Sequence, residues 1–108
     1  MNTKHIDLKK LEKEYGTLTF GRLLLSHRLG EEWTQTQMAK NLKISKQSLN
    51  DLEKGRKIPS IRRAIQISKK IGIFEDLTIQ LVLQDQITRE KLKYKILVLN
   101  PGKPNKAA

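Results

Sequence analysis

The chain has 108 residues, a formal net charge of +11 at pH 7 and no cysteine. This length fits a single domain with a small core, and the absence of thiols excludes disulfides and cysteine-ligated metal sites. His5 and His27 have no companions at ligand spacing, so we expect no metal and no other cofactor. The sequence has no phosphate-binding glycine loop, no nucleophile motif and no pair of catalytic carboxylates. We therefore expect no enzymatic activity.

The N-terminal residues 1–16 are charged and amphipathic, and the longest apolar runs in the chain are only a few residues long. A secretion signal or a membrane span needs a longer apolar run. The sequence therefore predicts a cytoplasmic protein without membrane contact.

Apolar periodicity predicts an all-α fold with five helices. The predicted helices cover residues 20–29, 35–42, 46–54, 61–71 and 74–87. The fifth is the least defined, because residues 77–81 also alternate as a strand does, and we interpret it as a helix that is apolar on two sides. Residues 93–99 (KYKILVL) are β-branched and aromatic enough to form a short β-strand. Because a lone strand leaves backbone groups unpaired, we expect it to pair across a dimer or with the N-terminal segment.

These elements divide the chain into three parts. Residues 1–17 are an N-terminal extension, residues 18–88 form the helical domain, and residues 89–108 hold the strand and a basic tail. We expect the tail, from residue 101 onwards, to be disordered.

Two helix-start signals follow each other closely in the middle of the chain. Thr34 with Gln37 three residues later is a capping box, and it starts the second predicted helix. Ser45 starts the third, with Ile44 before the cap and Leu49 after it placed to contact each other. The sequence therefore predicts two short helices joined by a turn of about three residues.

The outward face of the third predicted helix is rich in amide and lysine side chains. At about 100° per residue, Leu49 and Leu52 point to the core, and the opposite face carries Lys46, Gln47, Asn50, Asp51 and Lys54. Amide and lysine side chains match the hydrogen-bonding edges of adenine and guanine in the major groove. An ordinary polar surface helix is the alternative interpretation, and the paired helix starts favour DNA.

The positive charge is unevenly distributed. Residues 43–70 contain nine lysines and arginines against Asp51 and Glu53, a net charge of +7. A basic surface of this kind attracts polyanions regardless of their sequence. Solubility is the alternative explanation, but an even distribution would serve solubility better.

With these features, residues 20–72 resemble the lambda-repressor-like, Cro/CI-type (XRE) family of helix-turn-helix regulators. The matching positions are Gly21, Arg28, Gln35, Met38, Ala39, Ser45, Glu53, Gly55 and Pro59. The resemblance implies a five-helix DNA-binding domain in which an ion pair between Arg28 and Glu53 braces the first helix against the third. Two positions depart from the family. Lys43 stands where relatives have a left-handed glycine, and Asp51 stands where they often have an amide or basic base-reading residue.

We assign to the DNA interface Thr34, Gln35, Ser45, Lys46, Gln47, Ser48, Asn50, Asp51, Lys54, Arg56 and Lys57. Lys46 and Gln47 are expected to read bases, because the N-terminal end of a recognition helix reaches deepest into the groove. Gln35 begins a helix, where N–H groups can hold a phosphate. The resemblance implies that Arg56 and Lys57 grip the DNA backbone.

The functional prediction is a homodimeric transcriptional repressor that binds double-stranded DNA at an operator. Apolar residues within 77–87 and the strand at 93–99 are expected to form the dimer interface. An antitoxin that masks a toxin protein and regulates its own operon is the main alternative, and the sequence does not separate the two. A basic protein that binds nucleic acid without an operator is a third possibility, which the amide-rich helix disfavours.

Overall fold

A computed structural model of the chain describes residues 18–102, and the regular secondary structure of this part is entirely helical. The helices are α1 (Phe20–Gly30), α2 (Gln35–Leu42), α3 (Lys46–Glu53), α4 (Ile61–Ile71) and α5 (Glu75–Arg89). The prediction of an all-α fold with five helices is confirmed, and so is the choice of helix over strand for residues 77–81. The N-terminal extension, residues 1–17, and the end of the tail, residues 103–108, lie outside the described residues.

Four of the five helices begin with a hydroxyl cap. The side-chain oxygens of Thr19, Thr34, Ser45 and Ser60 each accept the backbone N–H three residues later, at 2.9 to 3.1 Å. The capping box is complete, because the N–H of Thr34 donates to Oε1 of Gln37 at 2.8 Å. Each cap satisfies an N–H that the helix itself leaves unpaired.

The core lies between the five helices. Its buried apolar side chains are Phe20, Leu24, Met38, Ala39, Leu42, Leu49, Ala64, Ile67, Leu81 and Val82. α5 packs mainly against α4, and α1 packs against α3. Thr78 is buried within this core, and its hydroxyl hydrogen bonds to the Ser68 hydroxyl at 2.5 Å, so α4 and α5 share a satisfied polar contact.

The turn between α2 and α3 keeps the left-handed conformation that relatives achieve with glycine. Lys43 has φ 59° and ψ 41°, and its N–H caps the end of α2 by donating to carbonyls of the last turn. This conformation costs a residue with a side chain about 1 kcal/mol. Lysine in place of glycine thus lowers the stability of the turn slightly but does not change its left-handed geometry.

The predicted β-strand at 93–99 is wrong for the described part of the chain. The segment forms no regular secondary structure, and it pairs with glutamine side chains of α5 instead of another backbone. Gln84 donates from Nε2 to the Tyr94 carbonyl (2.9 Å) and accepts the Ile96 N–H on Oε1 (2.8 Å). Gln80 accepts the Val98 N–H on Oε1 (3.1 Å). A side-chain amide offers the same donor and acceptor as a peptide group, so these glutamines pair with three backbone groups of the segment without a strand partner.

Within residues 18–102, no helix is both long and apolar enough to cross a membrane.

Candidate nucleic-acid interface

α2 and α3 are joined by a three-residue turn and linked across it by the Gln35 side chain. Its Nε2 donates to Oδ1 of Asn50 at 3.1 Å and to Oε1 of Glu53 at 2.9 Å. The start of α2 is thereby fixed against two successive turns of α3, and the two helices form one rigid unit with a common polar surface.

A family model described as Helix-turn-helix matches residues 26–73. That interval contains the end of α1, the linked pair α2 and α3, and α4. Residues 26–73 form a lambda-repressor-like helix-turn-helix domain. The protein is accordingly a DNA-binding transcription regulator. Comparisons with curated proteins and with solved structures give no match.

In this helix-turn-helix domain α3 is the recognition helix. Lys46, Gln47 and Lys54 are exposed on it, and neither lysine side chain has a partner among residues 18–102. Asn50 is half-buried and uses only its oxygen, on Gln35, so its amide nitrogen remains available as a donor. The two predicted base readers, Lys46 and Gln47, therefore stand at the exposed N-terminal end of the helix.

Several predicted phosphate contacts are positioned differently from the sequence expectation. Both Nε2 protons of Gln35 are used inside the domain. The donor it offers to a phosphate is its backbone N–H at the start of α2, which has no partner among residues 18–102. The hydroxyls of Thr34 and Ser45 serve as helix caps. Ser48 is exposed, and its hydroxyl accepts a hydrogen bond from Ser45 at 2.9 Å. The DNA contacts of these residues stay predictions.

Asp51 is buried, with 7 % of its surface exposed, although the sequence pattern placed it on the outward face. Its Oδ1 accepts from Gln47 Nε2 at 3.0 Å and from Arg56 Nε at 2.9 Å, and its Oδ2 lies 3.7 Å from Lys57 Nζ. The hydrogen bond from Arg56 lowers the pKa of Asp51 below its ordinary value, against the opposing effect of burial. Asp51 is therefore an ionised acceptor that holds the side chains of Gln47 and Arg56 and lies close to that of Lys57.

The loop after α3 carries Arg56 and Lys57 and is held from two sides. The Asp51 carbonyl accepts the N–H groups of both residues, at 2.9 and 3.3 Å. On the other side, Arg89 at the end of α5 donates from Nη2 to the carbonyls of Gly55 and Arg56, each at 3.0 Å. Sequence reasoning missed Arg89, since it lies outside the matched interval and no motif marks it.

Asp85 connects the same end of α5 to the start of α1. Its Oδ2 accepts the Phe20 N–H at 3.1 Å. Burial raises the pKa of Asp85, and this effect exceeds the opposing influence of the Phe20 N–H and of the Arg89 charge. α5 therefore contacts both the first helix and the loop after α3 through the side chains of Asp85 and Arg89.

Proposed function

We propose that this protein is a repressor that binds an operator in double-stranded DNA as a homodimer. The proposal is supported by the exposure of the residues predicted to read bases and of those predicted to contact the DNA backbone. Lys46 and Gln47 stand at the accessible end of α3, and Arg56 and Lys57 follow it in a loop that is held by the Asp51 carbonyl and by Arg89. Base contacts supply sequence choice and phosphate contacts supply affinity and register.

Two copies are proposed because one short helix reads only a few base pairs. Proteins with this motif commonly place two recognition helices about 34 Å apart on a two-fold axis, one turn of DNA. The C-terminal segment along α5 supports an interface, because Tyr94, Leu97 and Leu99 are 67 to 77 % exposed. Large apolar side chains exposed within one short segment are typical of a surface that another protein covers.

An antitoxin is the second candidate, and the same apolar segment favours it. A toxin would then cover Tyr94, Leu97 and Leu99 in place of a second copy, while the helix-turn-helix domain would regulate the operon. The two candidates share the DNA-binding surface and differ in the occupant of the C-terminal segment. Co-expression with the product of the adjacent reading frame, followed by purification of any complex, separates them.

Selection from a random duplex library tests the DNA-binding part of the proposal. We expect enrichment of a two-fold symmetric sequence whose half-sites are about one helical turn apart. A reporter gene placed behind that sequence should lose expression when the protein is produced. A library that remains random after several rounds would contradict an operator-binding function and leave only nonspecific attraction to DNA.

A further inference from the structure

One carboxylate oxygen joins two residues that have different tasks on DNA. Oδ1 of Asp51 accepts from Gln47, a predicted base reader, and from Arg56, a predicted phosphate contact. The Asp51 side chain is only 10 % exposed, while that of Arg56 is 52 % exposed. The buried carboxylate therefore lies behind both groups and does not itself form the outer surface.

This contact fixes the orientation of the Gln47 amide. A carboxylate accepts hydrogen bonds and donates none, so the amide nitrogen of Gln47 must face Asp51. One N–H is then used, and Oε1 together with the second N–H remains for an outside partner. A neighbouring donor and acceptor pair of this kind matches the N6 amino group and N7 of adenine.

The contact with Asp51 leaves the two terminal nitrogens of Arg56, Nη1 and Nη2, available to a phosphate. Arg56 uses Nε on Asp51, and its two terminal nitrogens have no hydrogen-bond partner among the described residues. Two parallel N–H groups are the geometry that binds a phosphate with two hydrogen bonds. Arg56 and Lys57 also offset the negative charge of Asp51, so the local charge beside the DNA remains positive.

We propose that Asp51 is a positioning residue for base recognition. It holds the Gln47 amide with its oxygen outwards, which gives the recognition helix a preference for adenine at the Gln47 position, and it holds Arg56 with its phosphate-binding fork free. Asp51 itself contacts no base. This inference rests on the proposed operator recognition by α3.

Asp51→Asn is the informative substitution, because asparagine keeps the size of the side chain and replaces one acceptor with a donor. The amide introduced by this change can donate to Gln47 Oε1, so the Gln47 amide loses its fixed orientation. We expect the preference for adenine at one base pair to fall about tenfold, since a good bidentate pair contributes roughly that discrimination or more.

A double-mutant cycle separates positioning from a general effect on folding. In a Gln47→Ala background, Asp51→Asn should leave the residual base preference unchanged, because the residue that Asp51 orients is gone. Loss of the Arg56 contact, or a merely structural role, would lower the affinity for all duplexes alike in both backgrounds and would leave the base preference unchanged, so the base preference is the deciding readout. If wild type selects an operator and Asp51→Asn retains the same preference at every position, the inference is overturned while the proposed function stands. If wild type selects no sequence, the proposed function fails and the inference fails with it.

A second measurement uses the unaltered protein and does not depend on the folding of a variant. In NMR spectra of the wild type, the side-chain amide signals of Gln47 should shift in step with the titration of the Asp51 carboxyl. The Gln66 amide lies on α4 and its oxygen accepts from Arg63, so it is the internal control and should not follow that titration. Gln47 signals that stay constant while Asp51 titrates would refute the contact on which the inference depends.

Discussion

Arg28 and Glu53 form two parallel hydrogen bonds that tie α1 to the end of the recognition helix. Nε of Arg28 lies 2.7 Å from Oε2 of Glu53, and Nη2 lies 3.0 Å from Oε1. The side chains are 13 % and 3 % exposed, so water screens the pair little. This confirms the brace that the family resemblance implied. Since Gln35 donates to the same carboxylate, Glu53 positions α1, α2 and α3 together.

Glu53→Gln should destabilise the fold strongly. The Arg28 side chain is nearly buried, and a neutral amide at position 53 leaves its charge without a counter-ion. Breaking a buried pair in this way costs about 3 kcal/mol or more in unfolding free energy. Urea unfolding followed by circular dichroism measures the loss. Glu31→Gln is the matched control, because Glu31 is exposed just after α1, and it should change stability by less than about 0.5 kcal/mol. Equal urea midpoints for the two variants would contradict the brace.

Gly21→Ala should disrupt the packing of α1 against α3. A Cβ at this position would overlap the Leu52 carbonyl oxygen and lie 2.9 Å from the Glu53 carbonyl oxygen. These are backbone atoms that cannot rotate away, so the helices must move apart, and we expect a loss of about 1 to 3 kcal/mol or more. Gly30→Ala, at the other end of α1, meets no atom within 4 Å and should be neutral or slightly stabilising. Thermal melting of both variants checks the difference, and a Gly21→Ala protein as stable as Gly30→Ala would refute the close approach.

Gln47→Ala and Arg56→Ala should weaken DNA binding in different ways. Loss of Gln47 should cost about 1 to 3 kcal/mol on the selected sequence and relax discrimination at one base pair, whereas loss of Arg56 should weaken all duplexes and reduce the salt slope by about one. Salt titrations on selected and random duplexes measure both effects. Lys69→Ala removes a charge of the basic 43–70 region that is not assigned to the DNA interface, so as the control it should leave the base preference unchanged. A Gln47→Ala protein with unchanged base preference would argue against α3 as the reader.

Combining Leu97→Glu with Leu99→Glu should convert the proposed dimer to a monomer. The two leucines are 75 and 77 % exposed in a single copy, so the fold should survive while the interface acquires buried unpaired charges. Analytical ultracentrifugation at micromolar concentration should show the mass of a monomer for this variant, and its affinity for the operator should be lower than that of the wild type. Leu29→Glu changes another exposed leucine, 59 % exposed on α1, and should remain dimeric. A wild type that sediments as a monomer and still binds its operator fully would contradict the homodimer.

The pH dependence of stability should carry a contribution from Asp85. Its folded pKa is raised above the unfolded value of about 3.9, so between the two values the folded chain binds more protons than the unfolded chain. Stability from this group is present at low pH and is lost as pH rises through the folded pKa. Asp51 has a lowered pKa, so its contribution to stability changes with pH in the opposite direction. That contribution is present at neutral pH and is lost as pH falls below about 4.

Asp85→Asn isolates this contribution. Asparagine can still accept the Phe20 N–H, so the variant removes the charge and keeps the hydrogen bond. The difference in unfolding free energy between variant and wild type should grow in favour of the variant as pH rises from about 4 towards neutrality. Denaturant curves at several pH values measure it, and parallel pH profiles would show that the carboxyl is not perturbed.

The features that the sequence determined by itself are encoded within a few residues. Thr34 with Gln37, and Ser45 before Leu49, start α2 and α3 where expected, because a helix cap needs only a side chain and an N–H three residues away. For these two caps, the spacing along the chain limits the possible geometry so closely that the pattern is sufficient. The brace between Arg28 and Glu53 joins residues 25 apart, and only the family resemblance implied it.

The tertiary structure decided the contacts between distant residues. Arg89 meets the Gly55 carbonyl 34 residues away, and Gln84 pairs with the backbone of Tyr94 and Ile96 in place of a strand. Periodicity shows which face of a helix is apolar, but it does not show which distant backbone group a polar side chain will reach. That depends on how α5 packs on the other helices, and core packing fixes this placement through many small contacts that no local pattern encodes.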